Sequence, residues 1–142
     1  MGKVRKKLKV HIKTKGDITK SLPVGAVLVC ADNSGAKKLQ IIAVKNMKTR
    51  KRQIMSAGVS DIAMCSVVAG NPDMKKTVVP AVIVRQRKEY LRADGTRIKF
   101  SDNAAVVMTP EGTMKATEIR GPVAREAVQK WSSIGSAAKV VV

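Results

Sequence analysis

Few residues of this chain could take part in acid–base or metal chemistry, and they are scattered. His11 is the only histidine, and no carboxylate lies beside it in the sequence to orient its ring. Two Asp-Asn pairs, at 32–33 and 102–103, could form an acid–base couple or a metal pair. Both pairs lie in turn sequences, where Asp and Asn side chains accept hydrogen bonds from the backbone. We therefore predict structural roles for both pairs and expect no catalytic residue, metal or cofactor.

The cysteines and glycines add no catalytic motif. Cys30 and Cys65 each lie in an apolar run without a CxxC spacing or a neighbouring histidine, which favours buried thiols over a disulfide or a metal site. Gly35, Gly58 and Gly95 form no GxGxxG or P-loop series that could bind a nucleotide phosphate. The sequence therefore predicts a protein that is not an enzyme.

Positive charge is the dominant chemical property of the chain. Its 142 residues include 28 Lys and Arg against 10 Asp and Glu, a formal net charge of +18, so a polyanion is the expected partner. Aromatic residues make up only 2% of the chain, too few to stack many unpaired bases, which favours structured RNA. No anchor helix, signal-peptide core or lipidation signal is visible, so we expect a cytoplasmic protein that binds no membrane.

Three basic clusters are candidates for phosphate contact. Residues 1–20 carry eight basic side chains against one acidic, and we expect such a run to fold only against its partner. Residues 45–52 carry five positive charges in a predicted loop, and no acidic residue occurs between 36 and 60. Residues 85–99 flank an Asp94-Gly95 turn, and alternate strand positions such as 85 and 87 would share one face. The candidate RNA-binding residues are Lys3, Arg5, Lys6, Lys7, Lys9, Lys45, Lys48, Arg50, Lys51, Arg52, Arg85, Arg87, Lys88, Arg92, Arg97 and Lys99.

An ordinary solvated surface is the alternative for the second and third clusters. Runs of charge often face only water, and Glu89 and Asp94 could neutralise part of the third cluster locally. The lack of any acid near residues 45–52 favours phosphate contact there, because a polar loop does not require such an imbalance.

The elements that must position these residues are mostly strands. Short runs rich in Val and Ile, separated by turn residues, predict a mainly β protein, either a sandwich or a barrel. Strands that are apolar on both faces favour a small closed barrel with a covered outside. Pro80 lacks a backbone donor, which predicts an edge strand or a bulge at that position. Residues 81–84 are apolar at every position, which predicts that the outside of the barrel is covered. The predicted strands are 24–30, 39–45, 61–68, 78–86, 97–100 and 104–108.

After residue 110 the pattern changes to helical spacing, which predicts a short amphipathic helix with Pro122 at its first position and a Glu126–Lys130 pair on its outer face. A further helical turn is predicted within 132–142. The apolar residues at this spacing are Val123, Ala124, Ala127, Val128 and Trp131. The outward residues form a mixed-charge face suited to protein docking, namely Arg125, Glu126, Gln129 and Lys130.

These patterns divide the chain into three parts. Residues 1–20 form a basic N-terminal RNA-binding tail, and residues 21–110 form a β-barrel RNA-binding domain. Residues 111–142 form a C-terminal helical segment that packs on the barrel.

Four blocks of sequence together resemble one protein family. The first is residues 22–37, which begins Leu-Pro-Val-Gly-Ala and ends Cys-Ala-Asp-Asn-Ser-Gly-Ala-Lys, and the second is Ala-Gly-Val-Ser-Asp at 57–61. The third, residues 80–95, begins Pro-Ala-Val-Ile-Val-Arg-Gln-Arg-Lys, and the fourth joins Phe-Ser-Asp-Asn-Ala to Gly-Pro-Val-Ala-Arg-Glu within 100–126. Their order and spacing resemble the universal large-subunit ribosomal protein fourteen family in its eukaryotic and archaeal form. The chain departs from that family at Ser60, where Gly is common, and in its long basic tail.

The resemblance implies a small closed five-stranded β-barrel of the OB or SH3 type with C-terminal helices, bound to large-subunit ribosomal RNA near the intersubunit face. It also implies contacts with neighbouring ribosomal proteins, a bridge with small-subunit RNA, and a C-terminal surface where an anti-association factor docks. The expected function is a structural constituent of the large ribosomal subunit that supports subunit bridging in translation. The alternative is a free OB-fold RNA-binding translation factor, which would expose aromatic residues for base stacking.

Overall fold

The structure, a computed structural model, describes residues 18–142, so the predictions for Lys3, Arg5, Lys6, Lys7 and Lys9 lie outside the described residues. Within this part no helix is long and apolar enough to cross a membrane. The helices are α1 (Arg125–Lys130) and α2 (Ser132–Ala137). The strands are β1 (Leu22–Pro23), β2 (Val27–Cys30), β3 (Ala36–Val44), β4 (Ser56–Ala57), β5 (Ile62–Gly70), β6 (Val78–Arg85), β7 (Tyr90–Leu91), β8 (Arg97–Ile98), β9 (Ala104–Val107), β10 (Pro122–Val123) and β11 (Val140–Val141).

Five strands close into a barrel in the order β2-β3-β5-β6-β9, which confirms the predicted mainly β fold. Neighbouring strands run antiparallel except at the closing pair, where β2 and β9 are parallel and Val29 lies opposite Ala104. Closure leaves no free edge among these five strands, so their backbone groups are not offered to another chain.

The barrel interior is filled by alternate side chains of its strands. Leu28, Leu39, Ile41, Val67 and Ile83 point inward and are fully buried. Burying such a side chain contributes about 1.5 to 3 kcal/mol each relative to leaving it in water. The period-two spacing of Val, Ile and Leu in the sequence therefore builds the closed core directly.

The outside of β6 is buried as well, which confirms the prediction that the barrel is covered there. Val82 and Val84 alternate with the inward residues and pack against Ile119, Val123 and Ile134 of the C-terminal segment. This second apolar layer explains why residues 81–84 are apolar at every position.

The prediction of an edge strand or a bulge at Pro80 is wrong. Strand β6 lies between β5 and β9, and its register shift lies between Ile83 and Arg85. The Pro80 carbonyl accepts a hydrogen bond from the Met108 N–H at 2.8 Å. In an antiparallel sheet the N and the carbonyl of one residue point to the same neighbouring strand, so the Pro80 nitrogen also points toward β9. The pairing of β6 with β9 ends at Ala81 and Val107, next to this position. The missing donor therefore costs the sheet little.

The C-terminal helix begins later than predicted. Pro122 and Val123 form a short strand that pairs in parallel with Val140 and Val141, and α1 begins at Arg125. The placement of Pro122 at the first helical position is therefore wrong, because the strand pairing overrides the helical spacing. The predicted further helical turn is confirmed by α2.

Ser60 occupies a backbone position that glycine favours. Its φ is 69°, in the left-handed region. The residue is buried, its N–H donates to the Ile83 carbonyl at 2.8 Å, and its own carbonyl accepts from Trp131 Nε1 at 3.1 Å. The turn is therefore fixed by two long-range hydrogen bonds with serine in place.

Candidate nucleic-acid interface

Two of the predicted basic clusters follow strands that end at the same side of the barrel. Strands β3 and β6 both run antiparallel to β5, so they run in the same direction and end at the same side. Strand β3 leads into loop 45–52, and β6 leads to Arg87 and Lys88. The exposed basic residues there, which we call the basic rim, are Lys45, Lys48, Arg50, Lys51, Arg52, Arg87, Lys88, Arg97 and Lys99.

Loop 45–52 presents all five of its basic side chains to solvent. Asn46 and Arg52 have φ values of 62° and 67°, so the chain turns sharply at both ends of the loop. Within residues 18–142 the structure shows no ion pair at any of these five side chains. Their charges are therefore available to an external anion such as a phosphate.

The hairpin of β7 and β8 confirms the predicted Asp94-Gly95 turn. Tyr90 lies opposite Ile98, and the Asp94 carboxylate accepts hydrogen bonds from the Thr96 hydroxyl and N–H, which lower the pKa of Asp94. Lys88 forms an ion pair with Glu89 at 3.2 Å, but both side chains are largely exposed. Such surface pairs contribute little, so Lys88 stays available for other anions.

Arg85 is not part of this surface, so the prediction that it shares an exposed face with Arg87 is wrong. Only 8% of its side chain is exposed. Its Nε and Nη2 donate to the two carboxylate oxygens of Asp102 at 2.9 and 3.2 Å, and its Nη1 donates to the carbonyls of Arg120 and Pro122. A side chain with these four contacts joins the barrel to the C-terminal segment instead of facing solvent.

Arg92 and Glu126 also face inward, which corrects two predictions. Arg92 Nε lies 2.7 Å from Glu126 Oε1, and the two side chains are 10% and 11% exposed. The Tyr90 hydroxyl donates to the same carboxylate at 2.8 Å, and burial together with Glu126 raises the pKa of Tyr90 to about 12. Glu126 therefore pairs with the β7–β8 hairpin and not with Lys130 on an outer face.

The outward side of α1 has three of the four predicted residues, because Glu126 faces inward. Arg125, Gln129 and Lys130 are exposed, and the Lys130 ammonium lies 5.6 Å from the centre of the Trp131 ring. Without Glu126 this face carries positive charge only, so the mixed-charge description is wrong.

The predicted backbone-binding roles of the Asp-Asn pairs are confirmed for three of the four residues. Asp32 accepts hydrogen bonds from the N–H groups of Ser34 and Val107 at 3.0 and 2.6 Å. Asn33 accepts from the Thr117 N–H, and Asn103 from the Arg87 N–H. In the described part of the chain, no three His, Cys, Asp or Glu side chains are placed to hold a metal ion.

Both cysteines are free and buried, as predicted. Burial raises the pKa of Cys30 and of Cys65 to about 12, and the nearby Asp32 carboxylate adds to the shift at Cys30. Both groups therefore remain protonated thiols near neutral pH, and thiols are poor nucleophiles.

A further basic group at the opposite end of the barrel was not predicted. Lys37 and Arg120 line one cavity of about 250 Å³ together with Asn71. Lys38 follows Lys37, and the exposed Lys75 and Lys76 follow Asn71 in the turn between β5 and β6. Both Lys-Lys pairs stand close to Gly and Asn turn signals in the sequence, which could have identified them.

Comparison with known proteins places these features in one family. The sequence profile described as "Ribosomal protein L14p/L23e" matches residues 21–142. The chain is 56% identical over 124 residues to the "Large ribosomal subunit protein uL14" of Methanococcus vannielii, covering 87% of this chain and 94% of that protein. It is 54% identical over 125 residues to the protein of the same name from Methanococcus maripaludis strain S2, covering 88% and 95%.

Proposed function

We propose, from the premise that this chain belongs to the ribosomal protein L14p/L23e family, that the basic rim binds the phosphate backbone of large-subunit ribosomal RNA. The protein is a structural constituent of the large ribosomal subunit, not an enzyme, and it works in the cytoplasm as part of the ribosome. The observation that carries the proposal is the set of exposed rim charges, of which only Lys88 has an acidic partner within residues 18–142.

Binding at the rim depends on charge and on shape. Arg side chains such as Arg50, Arg52 and Arg87 can donate two parallel hydrogen bonds to one phosphate, whereas Lys supplies a point charge. The closed barrel fixes the ends of β3 and β6, from which the loop and the segment leading to the hairpin emerge on the same side. Contacts of this kind position a protein on folded RNA without reading its sequence.

The division of the chain supports separate roles for its three parts. Residues 1–20 are the RNA-binding tail, residues 21–110 the RNA-binding barrel, and residues 111–142 the segment that covers the barrel. The apolar layer beneath Ile119, Val123 and Ile134 supports the last assignment.

The outward face of α1 is the proposed contact surface at the subunit boundary. Arg125, Gln129 and Lys130 carry positive charge only, which favours small-subunit RNA across a bridge. An anti-association factor that docks on the same face must therefore present an acidic surface. Neighbouring ribosomal proteins remain further proposed partners.

The alternative of a free OB-fold factor is disfavoured by the placement of the aromatic residues. Tyr90 and Phe100 are 1% and 9% exposed, so neither ring offers a face to a base. The third ring, Trp131, is partly buried and lies against Lys130. A surface that offers at most one partly exposed ring is poorly suited to stacking the bases of single-stranded RNA.

A salt titration with purified large-subunit ribosomal RNA tests the rim. The variant Arg50→Gln/Arg52→Gln should lower the slope of log affinity against log salt by about 1.4 to 1.8, because each lost phosphate contact removes about 0.7 to 0.9. Lys75→Gln/Lys76→Gln is the matched control, since it removes two charges at the opposite end of the barrel. Equal loss in the two variants would mean that net charge alone drives binding.

Sedimentation of a cell lysate through sucrose tests residence in the subunit. We expect the unmodified chain to migrate with large subunits at moderate salt, and the Arg50→Gln/Arg52→Gln variant to shift partly to the top of the gradient. Recovery of the unmodified chain only at the top would support a free factor instead.

A further inference from the structure

Residues 18–20 lie in a shallow slot beside the basic rim, with Ile18 partly buried and Thr19 and Lys20 exposed. The slot, as we define it, is formed by Gly58, Gln86 and the apolar cluster of Val59 and Phe100. It holds the last residues before β1, and the seventeen residues that precede it in the sequence carry seven of the chain's basic side chains.

Gln86 ties this segment to the rim. The side chain is fully buried, and its Nε2 donates to the Thr19 carbonyl at 2.9 Å and to the Lys88 carbonyl at 3.0 Å. Because both oxygens accept from one nitrogen, they lie within about 6 Å of each other. The root of the N-terminal segment is therefore fixed beside an exposed basic residue of the rim.

Gly58 makes room for the same segment. A Cβ at this position would lie 3.1 Å from Ile18 Cγ2, 3.2 Å from the Thr19 carbonyl oxygen and 3.5 Å from Lys20 Cα. The three nearest atoms all belong to the segment, and Gly58 does not have a positive φ. The approach of residues 18–20, and not the conformation of the turn itself, therefore favours glycine here.

Ile18 completes the slot from the apolar side. It packs against the cluster that contains Val59, Tyr90 and Phe100, and this cluster lies under the β7–β8 hairpin. The Phe100 N–H donates to the Gln86 carbonyl at 3.1 Å, so the hairpin and the slot share one backbone framework. One hydrogen bond, one apolar contact and the close approach to Gly58 thus hold a three-residue segment.

We infer that this slot positions the basic N-terminal segment, so that the segment and the basic rim bind the same stretch of RNA backbone. The inference rests on the proposed function of the rim. One end of the N-terminal segment is fixed beside Lys88, so the basic side chains of the segment have a high effective concentration near RNA that the rim already binds. Such a tether raises affinity only when the segment and the rim can contact the RNA at the same time. Gly58 and Gln86 are thus positioning residues that need not touch RNA.

A double-mutant cycle on the full chain tests this positioning role. One change is Gly58→Ala, which crowds the slot, and the other replaces Lys3, Arg5, Lys6, Lys7 and Lys9 with Gln. With the basic segment intact, Gly58→Ala should weaken binding to purified large-subunit ribosomal RNA about three- to tenfold. With the neutralised segment, the same substitution should change affinity less than about twofold, because nothing is left to position.

Two further variants keep the test decisive. Gly135→Ala is the matched control, because it also adds a Cβ in a tight place: the new atom on α2 would lie 2.9 Å from Val128 Cγ1 on α1. Gly135 is far from the slot in sequence, so this variant should leave RNA affinity unchanged. Gln86→Met removes the amide donor while keeping a side chain of similar length. It should reproduce the effect of Gly58→Ala, and it replaces that variant if the alanine protein does not fold.

The outcomes separate the inference from the proposed function. An equal loss of affinity in both backgrounds, or no loss in either, would overturn the positioning role and leave the slot as ordinary core packing. Absence of salt-dependent RNA binding by the unmodified chain would instead overturn the proposed function of the rim.

Discussion

Arg85 and Asp102 form a two-point ion pair in which Nε and Nη2 of the guanidinium lie 2.9 and 3.2 Å from the two carboxylate oxygens. The same guanidinium donates to the carbonyls on either side of Gly121, whose φ is 79°. A Cβ at Gly121 would lie 2.7 Å from Arg85 Nη1. The pair therefore fixes both the start of β9 and the path of the C-terminal segment across the barrel.

Asp102→Ala should lower the free energy of unfolding by about 3 kcal/mol, because it leaves the Arg85 charge buried without its partner. This loss is at the low end of the range for breaking a buried ion pair, because 36% of the Asp102 side chain is exposed. Urea denaturation followed by circular dichroism measures the loss. Arg87→Gln is the control and should change stability by less than about 0.5 kcal/mol. Equal stability of the two variants would contradict a structural role for Arg85.

Exchanging Glu126→Lys with Lys130→Glu should destabilise the protein by about 3 kcal/mol or more. The exchange places a second cation against the buried Arg92 and removes the acceptor of the Tyr90 hydroxyl. Lys130→Glu alone should cost less, because it leaves the buried pair of Arg92 and Glu126 intact. Thermal unfolding compares the midpoint of the exchanged variant with that of Lys130→Glu alone. Equal midpoints would mean that the hairpin does not hold Glu126.

Trp131→Phe should cost about 1 kcal/mol, because phenylalanine keeps most of the ring contacts but loses the hydrogen bond from Nε1 to the Ser60 carbonyl. Trp131→Ala should cost more, about 2 to 3 kcal/mol, which is below the value for a fully buried ring because Trp131 is only partly buried. Chemical denaturation of both variants gives the two differences. If phenylalanine proved as costly as alanine, the hydrogen bond would outweigh the packing.

Alkaline pH should weaken the fold between about pH 9 and pH 12. The pKa values of Cys30, Cys65 and Tyr90 are raised to about 12 in the folded protein, from ordinary values of 9.0 for the thiols and 10.0 for the phenol. The unfolded chain therefore loses these protons first, and stability falls by up to about 1.4 kcal/mol per pH unit for each group. Denaturation curves from pH 8 to pH 11 measure the slope. Cys65→Ala should make the slope shallower, and an unchanged slope would contradict the burial of that thiol.

The barrel strands could be predicted from the sequence because their information is local. Alternation of apolar residues identifies β3 and β5, and the Asp94-Gly95 turn identifies the hairpin. Pairings between residues that are distant in the sequence give no local pattern. Pro122 pairs with Val140, and the donor to the Glu126 carboxylate is Arg92, thirty-four positions earlier, whereas the sequence predicts Lys130, only four positions away.

The same limit explains the errors at the predicted interface. Arg85 has the strand position and the charge of a surface ligand, and only its partner Asp102, seventeen positions later, shows that it faces inward. The loop 45–52 needed no distant information, because a run of basic residues without nearby acids lies on the surface in any fold that buries its Val and Ile.

The outer layer over β6 has a consequence for synthesis. Translation runs from the N-terminus, so Val82 and Val84 are synthesised before Ile119 and Ile134, which cover them. The last barrel strand, β9, must also arrive before it can pair with β2, the first. A nascent chain thus carries an uncovered apolar strip from the synthesis of Val84 to that of Ile134, and a product that stops near residue 110 should aggregate where the full chain folds.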